Sequence, residues 1–161
     1  MAETKKEIRA LPPHELESAL ALVWESFSDS YAEQCDQDTL DAFWESIDYE
    51  YMLMSMGEGR IRFWGAWEDD FLVGVCAVRE LERIELLYVD AEYQGRGIGT
   101  SLLKKAAMDI KELDGLADTL RLLAPESAVG FFEKLGFTAK GEVFEQGSLK
   151  MLPMGLKGER V

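Results

Sequence analysis

The order of apolar and polar positions along the chain predicts alternating helices and strands. Apolar residues recur at helical spacing twice in the first third, at positions 16, 20, 23 and 27 and again at positions 40, 43, 44 and 47. From Arg60 onward, short apolar runs indicate strands, and two amphipathic segments indicate helices that begin near Ile98 and Ser127. This alternation is typical of an α/β protein with a mixed sheet and helices on both faces.

Turn and capping residues set the expected boundaries. Asp36 or Asp38 is the expected N-cap of the second helix, and the helix that begins at Ile98 is expected to end near Asp114. Residues 49–59, rich in Met and Tyr, are expected to form a connecting segment. The predicted strands cover residues 8–11, 61–67, 71–79, 84–89, 120–124, 137–144 and 148–154.

Length and composition limit the function classes. The 161 residues suit a single domain that spans residues 1–161. A formal net charge of −14 argues against nucleic-acid binding through phosphate contacts, and one histidine with two cysteines supplies no zinc site. No apolar run approaches the roughly 18 residues of a membrane span, and the first residues lack the apolar core of a signal peptide. We therefore expect a cytoplasmic protein without a metal or a membrane partner.

Acidic residues are concentrated in the first third of the chain. The segment between Ala10 and Gly59 holds twelve Asp or Glu residues and no Lys or Arg. A solvated face that keeps the protein soluble and a surface that attracts a cationic substrate are both compatible with this pattern. Trp24, Tyr31 and Trp44 of the same segment suit either the core or the wall of an acceptor site.

A glycine-rich segment joins the strand of residues 84–89 to the helix that begins at Ile98. Gly95, Gly97 and Gly99 fall at this junction. Such a turn presents backbone N–H groups at the positive end of a helix, which suits a pyrophosphate, and glycine permits both close approach and unusual backbone angles. The spacing fits neither a Rossmann turn nor a P-loop. A tight connection without a ligand is the simpler alternative.

Two motifs resemble those of the GNAT superfamily of acetyl-coenzyme A-dependent N-acetyltransferases. The sequence Gln-x-x-Gly-x-Gly at residues 94–99, after a strand that ends at Val89, resembles the family's coenzyme A-binding motif. Residues 128–137 resemble its segment Ala-x-x-Phe-Tyr-x-x-x-Gly-Phe. The resemblance extends over residues 71–154 and implies the GNAT fold, a central, mostly antiparallel sheet with helices on both faces.

The resemblance also implies an activity and a site. It implies an enzyme that moves an acetyl group from acetyl-coenzyme A to a primary amine, and a homodimer is compatible with it. Together with the acidic first third, it leads us to expect a small cationic molecule or a basic peptide end as the acceptor. The implied contacts are, to the pantetheine arm, Leu87, Tyr88 and Val89 and, to the pyrophosphate, Gln94, Gly95, Arg96, Gly97, Gly99 and Thr100.

Glu85 is the candidate catalytic residue. The acceptor nitrogen must lose a proton, because an alkylamine with a pKa of about 10.4 is protonated at neutral pH. Glu85 is the carboxylate of an otherwise apolar strand, and in a regular strand it shares a face with Leu87 and Val89. Related enzymes use a glutamate on the corresponding strand as a base. The alternative is a structural ion pair with Arg79 or Arg83.

Two positions depart from the family's pattern. Phe132 replaces a tyrosine that often protonates the leaving thiolate, and Leu123 lies near the position of a common asparagine. Neither side chain can donate a hydrogen bond. The alternative function is therefore a catalytically weak, regulatory module that binds acyl-coenzyme A.

Overall fold

The computed structural model describes residues 4–114 and 120–156. Its strands are β1 (Lys6–Ala10), β2 (Ile61–Glu68), β3 (Phe71–Arg79), β4 (Arg83–Val89), β5 (Arg121–Pro125), β6 (Phe137–Ala139), β7 (Phe144–Gln146) and β8 (Leu149–Leu156). Its α-helices are α1 (Leu16–Tyr31), α2 (Gln37–Ser46), α3 (Tyr49–Gly57), α4 (Ile98–Asp114) and α5 (Val129–Lys134).

The strands form one sheet in the order β1-β2-β3-β4-β5-β8-β6, and β7 pairs with β8 beside β6. Within the described ranges the paired strands are antiparallel, except that β4 and β5 run parallel. These two strands share a single register pair, Arg83 with Arg121. The mostly antiparallel sheet predicted from the sequence is confirmed.

Each face of the sheet has its own apolar core. The stripe of Leu102, Ala106 and Ile110 on α4 packs against one face, where α5 adds the ring of Phe132. On the other face, α1 and α3 bury residues such as Val23 and Met52 against β2, β3 and β4. The helical spacing in the sequence therefore marks surfaces that face the sheet, and the expected helices on both faces are confirmed.

The segment of residues 49–59 differs from the prediction, because most of it forms α3 rather than a connection. Asp48 caps this helix, since its carboxylate accepts a hydrogen bond from the Tyr51 N–H at 3.0 Å. Met52 and Ser55 are buried on the side of α3 that faces the sheet. At the start of α2, Asp36 is the N-cap, as predicted, and accepts from the Thr39 N–H at 2.9 Å.

The predicted strand of residues 137–144 is also wrong beyond Ala139. The Lys140 N–H donates to the carbonyl of Pro153 at 2.8 Å, and a Cβ at Gly141 would lie 3.3 Å from the Pro153 ring. The chain then leaves the sheet and returns as β7, which forms a hairpin with β8 around Gly147.

Within residues 4–114 and 120–156, no group of three or more His, Cys, Asp or Glu side chains is arranged to hold a metal ion. Among the helices so described, none is long and apolar enough to cross a bilayer.

Candidate active site

The parallel strands β4 and β5 diverge from their single register pair. Beyond Arg83, the edge of β4 that faces β5 has no strand partner among the described residues, so a gap opens between the two halves of the sheet. The glycine-rich turn leads from the end of β4 into α4 at the open end of this gap. A strand edge and a helix N-terminus, both with free backbone donors, therefore lie next to each other.

The backbone of β4 directs alternate residues into the gap. The Asp90 N–H donates to the Val73 carbonyl on β3 at 2.9 Å, so the Val89 carbonyl of the same planar peptide points away from β3. Because backbone groups alternate in direction along a strand, the N–H and carbonyl of Leu87 also point away from β3, whereas the backbone N–H and carbonyl of Tyr88 face β3. Of the three residues implied to contact pantetheine, Leu87 and Val89 thus offer backbone groups to the gap.

Two side chains donate hydrogen bonds to the Val89 carbonyl. The Gln94 amide donates to it at 2.9 Å, and the Ser26 hydroxyl of α1 lies at 3.4 Å. Gln94 therefore fixes the turn to the end of the strand, and Ser26, which is buried, connects α1 to the same point.

The turn has the backbone that its glycines allow. Gly95 and Gly97 have φ angles of +80° and +81°, and a Cβ at either would meet nothing within 4 Å. Glycine is required here for conformation, and the open space above both residues is available to a ligand. The helix begins with a bond from the Ser101 N–H to the Gly97 carbonyl at 3.0 Å, so the preceding N–H groups, Thr100 included, are free to bind an anion.

Gly99 serves a different purpose, which is close packing. A Cβ at this position would lie 3.3 Å from the Phe131 ring on α5 and 3.8 Å from a methyl group of Val89. Phe131 is half exposed beside the start of α4, whereas the adjacent Phe132 is 7% exposed and packs edge-on against Phe137. The ring that lacks the family's hydroxyl is therefore held in the core.

Arg96 brings a positive charge to the turn and is itself held in place. Its guanidinium lies 3.7 Å from a carboxylate oxygen of Glu68 and donates to the Glu92 carbonyl at 3.4 Å. It also stacks over the Tyr93 ring, 5.0 Å from the centroid. The Glu68 side chain is only 8% exposed, whereas that of Arg96 is 51% exposed, so a buried carboxylate anchors an exposed guanidinium.

Glu85 lies in a β-bulge. Opposite β3, Ala77 pairs with Leu86 and Val78 pairs with Ile84, which leaves Glu85 without a partner. The extra residue reverses the alternation, so that Ile84 packs on the α4 side and Leu86 on the α1 side.

The Glu85 carboxylate forms a two-pronged ion pair with Arg79. The two Arg79–Glu85 bonds that involve Nε and Nη2 are each 3.1 Å long, and Arg83 lies 3.5 Å away. Hydrogen bonding to Glu85 raises the pKa of Arg79, whose guanidinium is buried against Met52 of α3. Leu87 packs on the other face, so the expectation that Glu85 shares its face is wrong, because the bulge changes the parity of the strand.

Tyr88 and Leu123 complete the surroundings of the gap. The Tyr88 ring packs edge-on against Phe43 with centroids 6.1 Å apart, and burial raises the pKa of its phenol well above the usual value. Leu123, on β5, is exposed on the face opposite α5. Tyr88 is therefore a neutral packing residue, and Leu123 gives the β5 wall an apolar surface.

The open edge of β4 and the start of α4 are joined by the Gln-x-x-Gly-x-Gly segment, which resembles the coenzyme A-binding motif of acetyltransferases. The sequence model of the acetyltransferase (GNAT) domain matches residues 31–157. The chain belongs to this family and is an acetyl-coenzyme A-dependent acyltransferase, as its two motifs predicted.

Solved structures agree with this assignment. A PaiA N-acetyltransferase from Thermoplasma acidophilum, in complex with coenzyme A, is 25% identical with a TM-score of 0.76, over 92% of this chain and 98% of its own. A GCN5-related N-acetyltransferase from Rhodopseudomonas palustris is 22% identical with a TM-score of 0.77, over 97% and 98%. A GNAT acetyltransferase from Staphylococcus aureus Mu50 is 20% identical with a TM-score of 0.71, over 95% and 100%. No curated protein sequence matches the chain.

Sequence reasoning missed three residues that shape this site. Ser26 contacts the end of β4, Phe131 packs on Gly99, and Glu68 anchors Arg96. Each belongs to an element distant in sequence from the residue it contacts. For Phe131 a signal was present, because it occupies the phenylalanine position of the second motif.

Proposed function

We propose that the protein transfers the acetyl group of acetyl-coenzyme A to the primary amine of a small cationic molecule or a basic peptide end. The observation that carries this proposal is the gap beside β4, where the Leu87 and Val89 backbone meets the free N–H groups of the α4 start. An extended amide-containing arm could bond to a strand edge, while a pyrophosphate would suit the positive helix end and Arg96.

In the reaction, the ammonium group of the acceptor first loses a proton, and the neutral nitrogen then attacks the thioester carbonyl, so that an N–C bond forms and the C–S bond breaks. The sulfur leaves as a thiolate, and the second proton that the nitrogen loses passes to the thiolate or to water. We propose Glu85 as the acceptor of the first proton, through water that reaches its 27% exposed side chain. Arg79 would hold the carboxylate in place. The competing role is purely structural, since the same ion pair neutralises a buried guanidinium.

The proposed acceptor class rests on charge. The segment between Ala10 and Gly59 carries carboxylates without any Lys or Arg, and it supplies α1, α2 and α3, which cover the face that holds Glu85. A surface of one sign raises the local concentration of the opposite charge, and this attraction is screened by salt. Cationic amines are therefore favoured over neutral and anionic ones.

A panel of amines, monitored by release of free thiol from acetyl-coenzyme A, tests the proposal. We expect turnover with cationic amines, and a KM for the acceptor that rises with ionic strength. Activity confined to neutral or anionic amines, or a KM indifferent to salt, would contradict the acceptor class. Coenzyme binding without turnover of any amine would instead favour the regulatory module, which the missing hydroxyl at Phe132 makes a specific alternative.

A further inference from the structure

A separate cavity lies between α1 and the corner where α2 meets α3. Its volume is about 730 Å³, within the range of small-molecule sites. The floor is apolar and includes Leu20 and Ile47, which belong to the core below α1. The lining includes none of the residues of the gap or of the glycine turn.

Aromatic rings form part of the cavity wall. Trp24 and Trp44 meet edge-on with ring centroids 5.0 Å apart, and Tyr49 lines the same space. Trp44 is 58% exposed and Tyr49 is 42% exposed, which leaves large aromatic surfaces in contact with water. Aromatic faces attract cations, and their apolar surface favours contact with methylene groups.

The rest of the rim is acidic. Glu17, Glu25, Glu45 and Asp48 line the cavity, which no Lys or Arg lines, and none of the four forms an ion pair within the described part of the chain. One oxygen of Asp48 caps α3, which leaves the other free. Glu17 and Glu25 are eight residues apart on α1, so about 12 Å of helix separates them.

We infer that this cavity binds an aliphatic chain with an ammonium group at each end, about 12 Å apart. The two ends would pair with the carboxylates near Glu17 and Glu25, while the methylene groups lie along Trp24 and Trp44. Charge complementarity selects the cation, and the apolar rings between the acidic ends select a long chain over a compact ion. This site requires no coenzyme, so it goes beyond the proposed function.

The probe is 1,8-diaminooctane, whose extended length is close to the separation of the acidic ends. Calorimetry and tryptophan fluorescence would measure its binding in physiological salt, with 1,2-diaminoethane and 1-aminooctane as comparisons. We expect the long diamine to bind best, and Trp44→Ala or the double variant Glu17→Gln/Glu25→Gln to weaken it about tenfold or more. The matched control is Glu112→Gln/Glu133→Gln, which removes the same charge from exposed positions on α4 and α5.

If the double variant in the cavity and the control double variant weaken diamine binding equally, the inference is overturned, because the effect would then come from net charge alone. Equal affinity for the long diamine and either comparison amine would also overturn it, as would a lack of binding. The Gly97→Val variant separates this site from the acetyltransferase site, since it is expected to lose coenzyme binding while it keeps diamine affinity. Loss of diamine binding in Gly97→Val, with the fold intact, would contradict a separate site.

Discussion

Substitution of a glycine in the turn gives the most direct test of the coenzyme site. Gly97→Val places a branched side chain in open space above the free N–H groups, where the pyrophosphate is expected to lie. It also forces a β-branched residue to a φ of +81°. Gly59→Val is the matched control, because Gly59 has a φ of +74° and equally open surroundings, between α3 and β2.

The magnitude follows from the contacts that the side chain would remove. Each backbone N–H bond to a charged phosphate is worth about 1.5–3 kcal/mol, so the loss of two such bonds weakens coenzyme A binding about 10²- to 10⁴-fold. The strained backbone costs about 1–2 kcal/mol of folding stability in either variant. The two variants should therefore match in stability and differ in binding.

Calorimetric titration with coenzyme A measures the affinity, and urea unfolding followed by circular dichroism measures the stability. Gly59→Val removes no contact with coenzyme A, so we expect its binding free energy to change by less than about 0.7 kcal/mol. This corresponds to an affinity within about threefold of the unmodified protein. Near-normal binding by Gly97→Val would refute the assignment of the turn. An equal loss in both variants would trace the effect to backbone strain instead.

Three further predictions concern the chemistry of individual residues. Glu85→Gln is expected to lower kcat about 10²-fold or more, and this loss should shrink at high pH, where the amine is already neutral. The control variant Glu82→Gln, which removes an exposed ion pair, is expected to change kcat little. An unchanged pH profile for Glu85→Gln would assign that residue to structure. Phe132→Tyr is expected to raise kcat with little change in coenzyme affinity, measured in parallel by thiol release and calorimetry; an unaltered kcat would mean that leaving-group protonation does not limit the rate. Burial raises the pKa of Cys76 to about 12, so a thiol reagent at neutral pH should label the partly exposed Cys35 first, whereas faster labelling of Cys76 would contradict its burial.

The sequence predicted those parts of the fold that local rules determine. Helical spacing identified the faces of α1 and α4, whereas the stripe predicted for α2 is wrong at Trp44, which is 58% exposed, and the buried residue of that helix is Thr39. Asp36 marked a helix start because a short acidic side chain satisfies free N–H groups. The glycine turn was predictable because left-handed backbone at Gly95 and Gly97 excludes most other residues. The type of an element, helix or strand, was predictable wherever apolar residues recur with a clear period or a capping residue marks a helix start.

The sequence could not supply features that depend on packing between distant elements. The sequence did not predict α3 because the apolar residues of this helix lie on all of its sides. Met52 is buried, whereas Leu53 and Met54 are exposed, so no apolar stripe at helical spacing appears. The bulge at Glu85 arises from its register with β3, and no residue type marks it. The divergence of β4 from β5 also has no local signal, because it is a relation between two strands that the glycine-rich turn and α4 separate in the chain.

The single register pair between β4 and β5 has a consequence for cooperativity. The sheet is continuous in topology, but its backbone bonding is nearly interrupted at its centre, so we expect the strands on either side to open as two units linked mainly through α4 and the cores. Amide protons of Leu87 and Val89 should exchange with solvent far faster than those of the paired strands that flank them. Acetyl-coenzyme A in the gap would take the place of the missing strand contacts and join the two units. Its binding would then convert two local opening equilibria into one global transition.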